Sequence, residues 1–287
     1  MNIFEPASLE QLREKRYAEV LCYPRYDAKE LEKRISELKT LSVRTLEFTG
    51  EKKAFNLPVL GKGCVGIVVA AHAKTGKVAL KIRRVDADRA GMQREAEMLR
   101  KANSIDVGPV LLGVSDNFLL MHFVEGMLLP KWVEKLKGRG VKARIRHVLR
   151  DVLEQCWRLD DAGLDHGELS RAPKHVIVDS EDKPTIVDFE TASLSRRASN
   201  VTSICQYLFI GSQVARTIQK RYLKIDKEKL VRALGIYKRN RSRENLNKIL
   251  KIAGLSETTC QVHNPRARFR CFLSRNLTGT IHFNTIV

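Results

Sequence analysis

The most informative part of the chain is LGKGCVGIVVAAHAKTGKVALKI, residues 60–82. Its glycines at positions 61, 63 and 66 have the spacing G-x-G-x-x-G, and the IVVAA that follows them favours a strand over a helix. KTGK, residues 74–77, is typical of a turn between two strands. The sequence therefore predicts a glycine-rich hairpin whose backbone can lie over phosphate groups.

The glycine spacing is also compatible with two different structures. In a dinucleotide-binding unit the third glycine opens a helix, and an acidic residue follows about 20 residues later. Asp86 lies at about that distance, but Gly66 precedes a predicted strand and no helical crossover separates that strand from Lys81. Alternatively, the glycines only shape a tight hairpin.

Lys81 and Glu95 strengthen the phosphate interpretation because of their order after the glycines. Lys81 ends VALK on the second strand of the hairpin, and Glu95 lies in the predicted helix ADRAGMQREAEMLRKAN, residues 87–103. A lysine that pairs with a helical glutamate is held in place to neutralise phosphate charge. We therefore expect an ion pair between these two residues.

The rest of the chain changes from strands to helices. GPVLLGVSDNFLLMHFVEG, residues 108–126, predicts two short strands around a turn, and the pattern is mainly helical from about residue 131. GLDHGELSRAPKHVIVD, residues 163–179, and PTIVDFE, residues 184–190, interrupt the helical pattern. Strands with one helix, followed by helices, favour two unlike lobes.

These motifs resemble, in the same order, those of the protein kinase-like superfamily from about Leu57 to Leu208. LLMHFVEG is similar to a hinge strand, HGEL to the catalytic loop and DFE to the metal-binding loop. HGELS most closely resembles the HGDLS of RIO-type and related small archaeal kinases, and the nearest match is a predicted archaeal serine/threonine kinase group. The resemblance implies an α+β, bilobal, protein kinase-like fold that binds ATP between its lobes.

Four segments are expected along the chain. Asp27 as a helix N-cap, followed by helical periodicity, predicts an N-terminal helical extension over residues 1–50. A β-rich N-lobe is expected over residues 51–126, and a reduced, mostly helical C-lobe over residues 127–255. The C-terminal tail, residues 256–287, has mixed composition without clear periodicity and is a candidate for poor order.

The resemblance also implies the functional residues. For ATP it implies the glycine loop, the cleft face of the sheet and the hinge: Gly61, Gly63, Gly66, Val68, Ala79, Lys81, Met121, His122 and Val124. Met121 would be the gatekeeper, and the backbone of His122 and Val124 would face the adenine. The implied catalytic residues are Glu168, Lys81 and Glu95, and the implied ligands of Mg²⁺ are Asp188, Glu190 and His175.

Glu168 stands where the family has its catalytic aspartate. A carboxylate there orients the acceptor hydroxyl and takes its proton, but glutamate reaches one methylene further, which can alter the rate. His166, two residues earlier, is a plausible ligand or base when viewed alone. Its place in the loop favours a packed, hydrogen-bonded structural histidine.

The metal-binding positions also depart from the family pattern. Pro173 falls where the family has an asparagine, and a two-residue insertion would move His175 into that position, although Mg²⁺ prefers oxygen ligands. Asp188 matches the family's metal-binding aspartate. Glu190 replaces a glycine and either shares Mg²⁺ with Asp188 or is only a salt-bridge partner.

The net charge of the 287-residue chain is +19, and much of it lies near the C-terminus. Residues 1–50 hold nine Lys/Arg and nine Asp/Glu, whereas residues 213–287 hold 17 and 4. Such a surface attracts phosphate polymers, so RNA or the ribosome is a candidate partner. A well-solvated face of a protein from a hot environment accounts for the charge equally well.

Several sequence features bear on the location of the protein. The chain has no run of 18 apolar residues and no apolar leader, and its six cysteines form no C-x-x-C pair. We therefore expect a folded, soluble, cytoplasmic protein with reduced thiols and no membrane association.

The expected function is that of an ATP-dependent phosphotransferase. By resemblance, it is a serine/threonine protein kinase that uses Mg²⁺ and ATP to phosphorylate a protein substrate or itself. The departures at Glu168, Pro173 and Glu190 leave a nucleotide-binding pseudokinase as an alternative. The basic C-terminal region leaves an RNA- or ribosome-associated ATPase, and a small-molecule kinase is a further alternative.

Overall fold

The structure is a computed structural model that describes residues 5–256 of the chain. The described part is α+β, with a sheet-rich N-terminal part and a helical C-terminal part. Of the predicted tail, only Ser256 belongs to the described residues, so the expectation for residues 257–287 lies outside them.

The strands, in chain order, are β1 (Ala7–Ser8), β2 (Val43–Glu47), β3 (Lys52–Ala54), β4 (Leu57–Val59), β5 (Gly61–Lys62), β6 (Gly66–Ala73), β7 (Gly76–Arg83), β8 (Leu111–Val114), β9 (Phe118–His122), β10 (Met127–Leu128), β11 (Val176–Val178) and β12 (Pro184–Ile186). The helices are α1 (Lys15–Leu21), α2 (Ala28–Thr40), α3 (Arg89–Asn103), α4 (Leu129–Lys135), α5 (Val141–Asp161), α6 (Asn200–Cys205), α7 (Gln213–Arg221), α8 (Lys227–Arg239) and α9 (Arg243–Ile252). Short 3₁₀ turns at Gln11–Arg13 and Leu169–Arg171 and a π-helical turn at Gln206–Ile210 complete the described elements. No helix among the described residues combines the length and the apolar character needed to cross a lipid bilayer.

The main sheet has the order β1-β2-β6-β7-β9-β8, with β5 also paired to β6. All of these pairs are antiparallel. The predicted glycine-rich hairpin is confirmed, because β6 and β7 pair along their full length around a turn at residues 74–75. The dinucleotide-binding alternative is wrong, since that unit needs parallel strands joined by a helix.

The first fifty residues are not only helical, which corrects the expectation of a helical extension. Helix α2 begins as predicted, because Asp27 accepts a hydrogen bond of 2.7 Å from the amide of Glu30. The apolar face of α2 is buried through Leu31, Ile35 and Leu38. However, β2 pairs with β6, so this segment supplies edge strands to the main sheet. In VRTLE, the sequence of β2, only Val43 and Leu46 are buried, and a register shift between Val43 and Thr45 breaks the alternation expected of a strand.

The hydrophobic side chains form two clusters. One lies between the sheet and helices α1 and α2, and the other fills the helical part. Helix α3 belongs to the second cluster, because its Met92, Ala96 and Leu99 are buried together with residues of α5 such as Val152 and Leu153. The helix that follows the glycine hairpin is therefore anchored in the core of the helical part.

Candidate functional site

Lys81 lies at the centre of a cluster of carboxylates. Its Nζ is 2.6 Å from Glu95 Oε2, 2.8 Å from Glu190 Oε2 and 3.6 Å from Asp188 Oδ1. Strand β7 supplies the lysine, α3 supplies Glu95, and the segment after β12 supplies the other two acids. Lys81 is only 4% exposed and Glu95 only 2%. The site thus joins the sheet, α3 and the helical part through one buried ammonium group.

Burial and charge act against each other at this cluster. Burial lowers the pKa of Lys81, but the charges of Glu95, Asp188 and Glu190 outweigh that effect and raise the pKa above its ordinary value. Burial raises the pKa of Glu95, and Lys81 offsets the rise in part. The lysine is therefore a permanent cation at neutral pH.

The glycine hairpin lies close to these charges. The amide of Gly63 donates to the carbonyl of Gly66 across the turn at 2.8 Å. A Cβ on Gly63 would lie 3.9 Å from Glu190 Oε2, so the turn and this carboxylate are neighbours. A Cβ on Gly66 would lie 2.9 Å from the carbonyl oxygen of Ile82. Gly66 is thus required for the close approach of β6 to β7, whatever the hairpin binds.

The predicted ATP-binding residues of the sheet share one face. Val68 is paired directly with Lys81, and Ala79 is paired with Met121. Since side chains two residues apart on a strand point to the same side, Ala79 and Lys81 also lie on that face, and so does Gly61, the partner of Val68. Gly61, Val68, Ala79, Lys81 and Met121 therefore line one side of the sheet, whereas the side chain of His122 points to the other side.

The predicted hinge follows β9. The amide of His122 donates to the carbonyl of Val110 at 2.8 Å, so this amide is already used within the sheet. Beyond His122 the chain leaves the sheet through the half-buried Val124 and reaches β10, which pairs with β11 of the helical part. Residues 123–126 thus connect the two parts of the fold.

A second cluster contains Glu168, His175 and Asp188. The Nε2 of His175 is 2.9 Å from Glu168 Oε2, and its Nδ1 is 3.8 Å from Asp188 Oδ2. One donor atom from each of the three side chains lies within 4.8 Å of the others, a spacing at which all three can bind one metal ion. His175 is 1% exposed, whereas the side chain of Glu168 is 39% exposed. Asp188 belongs to both clusters and links them.

Hydrogen bonds of His166 fix the segments that carry Glu168 and Asp188. The amide of His166 donates to Asn200 Oδ1 at 2.9 Å, and Asn200 in turn donates to the buried Asp160. The Nε2 of His166 lies 3.2 Å from the carbonyl oxygen of Val187, immediately before Asp188. Asp188 itself has a φ of 72°, a left-handed conformation that is uncommon outside glycine and clusters at functional sites.

His166 is enclosed by aromatic rings. It is fully buried, and its ring packs 5.1 Å from that of Phe189 and 5.2 Å from that of His175. Burial, together with the nearby His175, lowers the pKa of His166 to about 4. The imidazole is therefore neutral at physiological pH, and its Nε2 contacts a backbone carbonyl and not a carboxylate. This agrees with the prediction of a structural histidine.

Comparison with known proteins identifies a relative. The uncharacterized protein MJ1211 of Methanocaldococcus jannaschii is 30% identical to this chain over 113 residues, which are 39% of this chain and 92% of that protein. The chain belongs to the family of that protein. No protein-family model matches the chain. Since the description of the relative names no activity, a function for this chain rests on the site itself.

Lys174 is a member of the site that the sequence did not predict. Its Nζ lies 3.2 Å from Asp188 Oδ2 and 3.7 Å from Glu168 Oε2. A lysine in an exposed loop gives no periodic signal, and its only sequence clue is its position next to His175. Asp86, which the dinucleotide-binding alternative would have placed at a ribose, is exposed. Its Oδ2 forms an ion pair with Arg84 at 2.7 Å.

Proposed function

We propose that the chain is an ATP-dependent phosphotransferase of protein kinase-like fold, with a serine or threonine hydroxyl of a protein as acceptor. A single structural observation supports the proposal most strongly. A buried lysine beside a glycine hairpin pairs with a helical glutamate at 2.6 Å and lies 3.6 Å from the aspartate that follows β12. These are the groups that phosphoryl transfer needs to orient phosphates and neutralise their charge.

Lys81 and the hairpin would bind the phosphates. Lys81 remains charged and is held by Glu95, so its ammonium group is fixed on the same face of the sheet as Val68 and Ala79. The hairpin supplies backbone amides near Gly63, beside the carboxylate of Glu190. Phosphates that enter there would compete with Glu190 for Lys81.

Asp188 and Glu190 fit a magnesium ion, because both are partly exposed carboxylates and Mg²⁺ prefers oxygen ligands. Bound Mg·ATP would supply the transferable phosphoryl group and neutralise charge that develops on it. Glu168 would accept a hydrogen bond from the acceptor hydroxyl and take its proton. Its 39% exposed side chain leaves it open to a substrate, and its Oε2 lies 2.9 Å from His175 Nε2.

The experiment is transfer of labelled γ-phosphate from Mg·ATP by the wild type, Glu168→Gln and Lys81→Met, each alone and with a generic protein acceptor. Glu228→Gln, an exposed change on α8, is the matched control. We expect transfer by the wild type and the control, and a loss of at least about 100-fold in Glu168→Gln, the lower range for a general base. Binding of ATP without transfer by the wild type would replace this proposal with the pseudokinase alternative.

A second candidate function is an RNA-associated ATPase, and the surface of α7–α9 favours it. Residues 213–256 hold 13 Lys/Arg and three Asp/Glu, and all the basic residues are exposed except the half-buried Arg241. A surface of this charge binds phosphate backbones with a strong salt dependence. RNA-stimulated release of phosphate that weakens steeply between 50 and 200 mM salt would support this candidate, with a charge reversal of Arg216, Lys220 and Lys224 as the variant.

A further inference from the structure

His175 presents an unusual feature of the second cluster. It is 1% exposed, yet neither ring nitrogen makes a hydrogen bond to any described residue. The 2.9 Å approach of Nε2 to Glu168 Oε2 is close, but it does not have the direction of a hydrogen bond. Buried polar atoms are normally satisfied, and an unsatisfied one points to a missing water or ion.

The charges around His175 leave room for a dication. Four carboxylates, those of Glu95, Glu168, Asp188 and Glu190, face the ammonium groups of Lys81 and Lys174. With a neutral imidazole, the two clusters together carry two uncompensated negative charges. The side chain of Lys174 is 59% exposed, so its ammonium group can move into solvent when another cation binds between Glu168 and Asp188.

We propose that Glu168, His175 and Asp188 form a divalent-metal site that prefers a first-row transition-metal ion to Mg²⁺. The donor atoms all lie within 4.8 Å of one another, and opposite ligands about 2.1 Å from one ion are roughly 4.2 Å apart, so small side-chain rotations are enough to close the site. Imidazole suits transition metals, whereas Mg²⁺ takes oxygen ligands and keeps its waters. The preference therefore comes from His175, and the oxygen-only pair Asp188 and Glu190 has no such bias.

A metal ion in this site would hold Glu168 in position. If Glu168 binds the ion, its carboxylate is both a ligand and the neighbour of the acceptor hydroxyl. This effect on phosphate transfer rests on the proposed function, whereas occupancy of the site by a metal does not.

The test measures binding of Mn²⁺ to the full chain without nucleotide, because Mn²⁺ is the weakest binder of the first-row series and gives the most demanding comparison with Mg²⁺. Electron paramagnetic resonance of free Mn²⁺ gives the affinity, and pulsed measurements detect coupling to a ligand nitrogen. The variants are His175→Asn and Glu168→Gln, with His147→Asn as the control, since His147 is an exposed histidine on α5. Thermal unfolding checks that each variant is folded.

We expect one Mn²⁺ per chain that a tenfold excess of Mg²⁺ does not displace, with nitrogen coupling in the wild type and in His147→Asn. His175→Asn should abolish the coupling and weaken Mn²⁺ binding at least about tenfold. Glu168→Gln, at a half-exposed position, should weaken binding but keep the coupling. Absence of nitrogen coupling in the wild type, its persistence in His175→Asn, or displacement of Mn²⁺ by a tenfold excess of Mg²⁺ would overturn the inference.

The two proposals fail separately. Binding of Mn²⁺ with nitrogen coupling, but no transfer of phosphate under any metal, would remove the proposed function and leave the metal site. If Mg²⁺ supports phosphate transfer but bound Mn²⁺ shows no nitrogen coupling, the proposed function stands and the proposed metal site is refuted.

Discussion

Removal of the Lys81 ammonium group should destabilise the fold far more than removal of its partner Glu95. Lys81 Nζ lies within 3.6 Å of three carboxylates, those of Glu95, Asp188 and Glu190. Glu95, in turn, relies on Lys81 as its counter-charge. In Lys81→Met, Glu95 stays buried without this counter-charge, and loss of one member of a buried pair costs about 3–5 kcal/mol. In Glu95→Leu, Lys81 keeps Asp188 and Glu190, so we expect a cost of about 1–2 kcal/mol.

Urea unfolding at pH 7 measures these differences in the free energy of unfolding. The double variant Lys81→Met/Glu95→Leu should recover most of the loss, because an apolar pair of similar volume replaces a buried ion pair at little cost. Lys77→Met is the matched control on the same strand. The side chain of Lys77 is 40% exposed, so loss of its ion pair with Glu47 should lower the free energy of unfolding by less than about 1 kcal/mol.

The pH dependence of stability provides a second criterion. Burial already raises the pKa of Glu95, and without Lys81 that pKa rises further above its unfolded value. A carboxyl with a raised folded pKa favours the folded state below its unfolded pKa, and this contribution is lost as pH rises through the folded value. The loss of unfolding free energy in Lys81→Met, relative to the wild type, should therefore become smaller as pH falls from 7 towards 5. Equal costs for the two single variants, or a deficit independent of pH, would contradict this account of the buried charges.

Three further outcomes are expected. Glu190→Gln should tighten ATP binding in EDTA by roughly threefold to tenfold, measured by calorimetry, because a carboxylate that competes with phosphates for Lys81 loses its charge. Gly66→Ala should lower the free energy of unfolding, measured in urea, by about 1–3 kcal/mol, because its Cβ would lie 2.9 Å from the carbonyl oxygen of Ile82 on the next strand. Gly61→Ala should lower it less, because the nearest atom to its Cβ would be 3.5 Å away. The pKa of His166 is about 4 in the folded protein and 6.5 in the unfolded chain. The contribution of His166 to the free energy of unfolding is therefore present above pH 6.5 and is lost as pH falls towards 4. His166→Gln should reduce this loss of unfolding free energy between pH 6.5 and pH 4.

Local sequence patterns were enough to predict several elements of the fold. The hairpin turn at residues 74–75, the capped helix α2 and the strand pair around Ser115 follow from turn residues, caps and periodicity within one segment. The strand β2 was missed because five residues after a long helix give a weak signal, and its pairing partners in β6 lie 23 to 30 residues later in the chain. Its register is a property of the folded sheet.

The contacts that hold the site together could not be predicted from the sequence. The amide of His166 is fixed by Asn200, 34 residues later, and Asn200 is fixed by Asp160. The sequence left Glu190 with two possible roles, and the structure shows an ion pair with Lys81, 109 residues away. Its sharing of a metal with Asp188 remains a prediction. Pairings over such distances depend on how the helical part packs against the sheet, which no local pattern encodes.

The contacts of residues 188–190 oppose a change in the conformation of this loop. Asp188 and Glu190 lie against Lys81 on one side, while Phe189 between them is buried in the core of the helical part. The Phe189 ring reaches this core because Gly108 has no side chain, and a Cβ there would lie 2.8 Å from the ring. A flip of this loop would expose Phe189 and separate both acids from Lys81. The loss of apolar burial and the loss of the ion pairs therefore both oppose such a flip. Phosphates that displace Glu190 from Lys81 would therefore change the ion pairs of the site while the backbone of the loop stays in place.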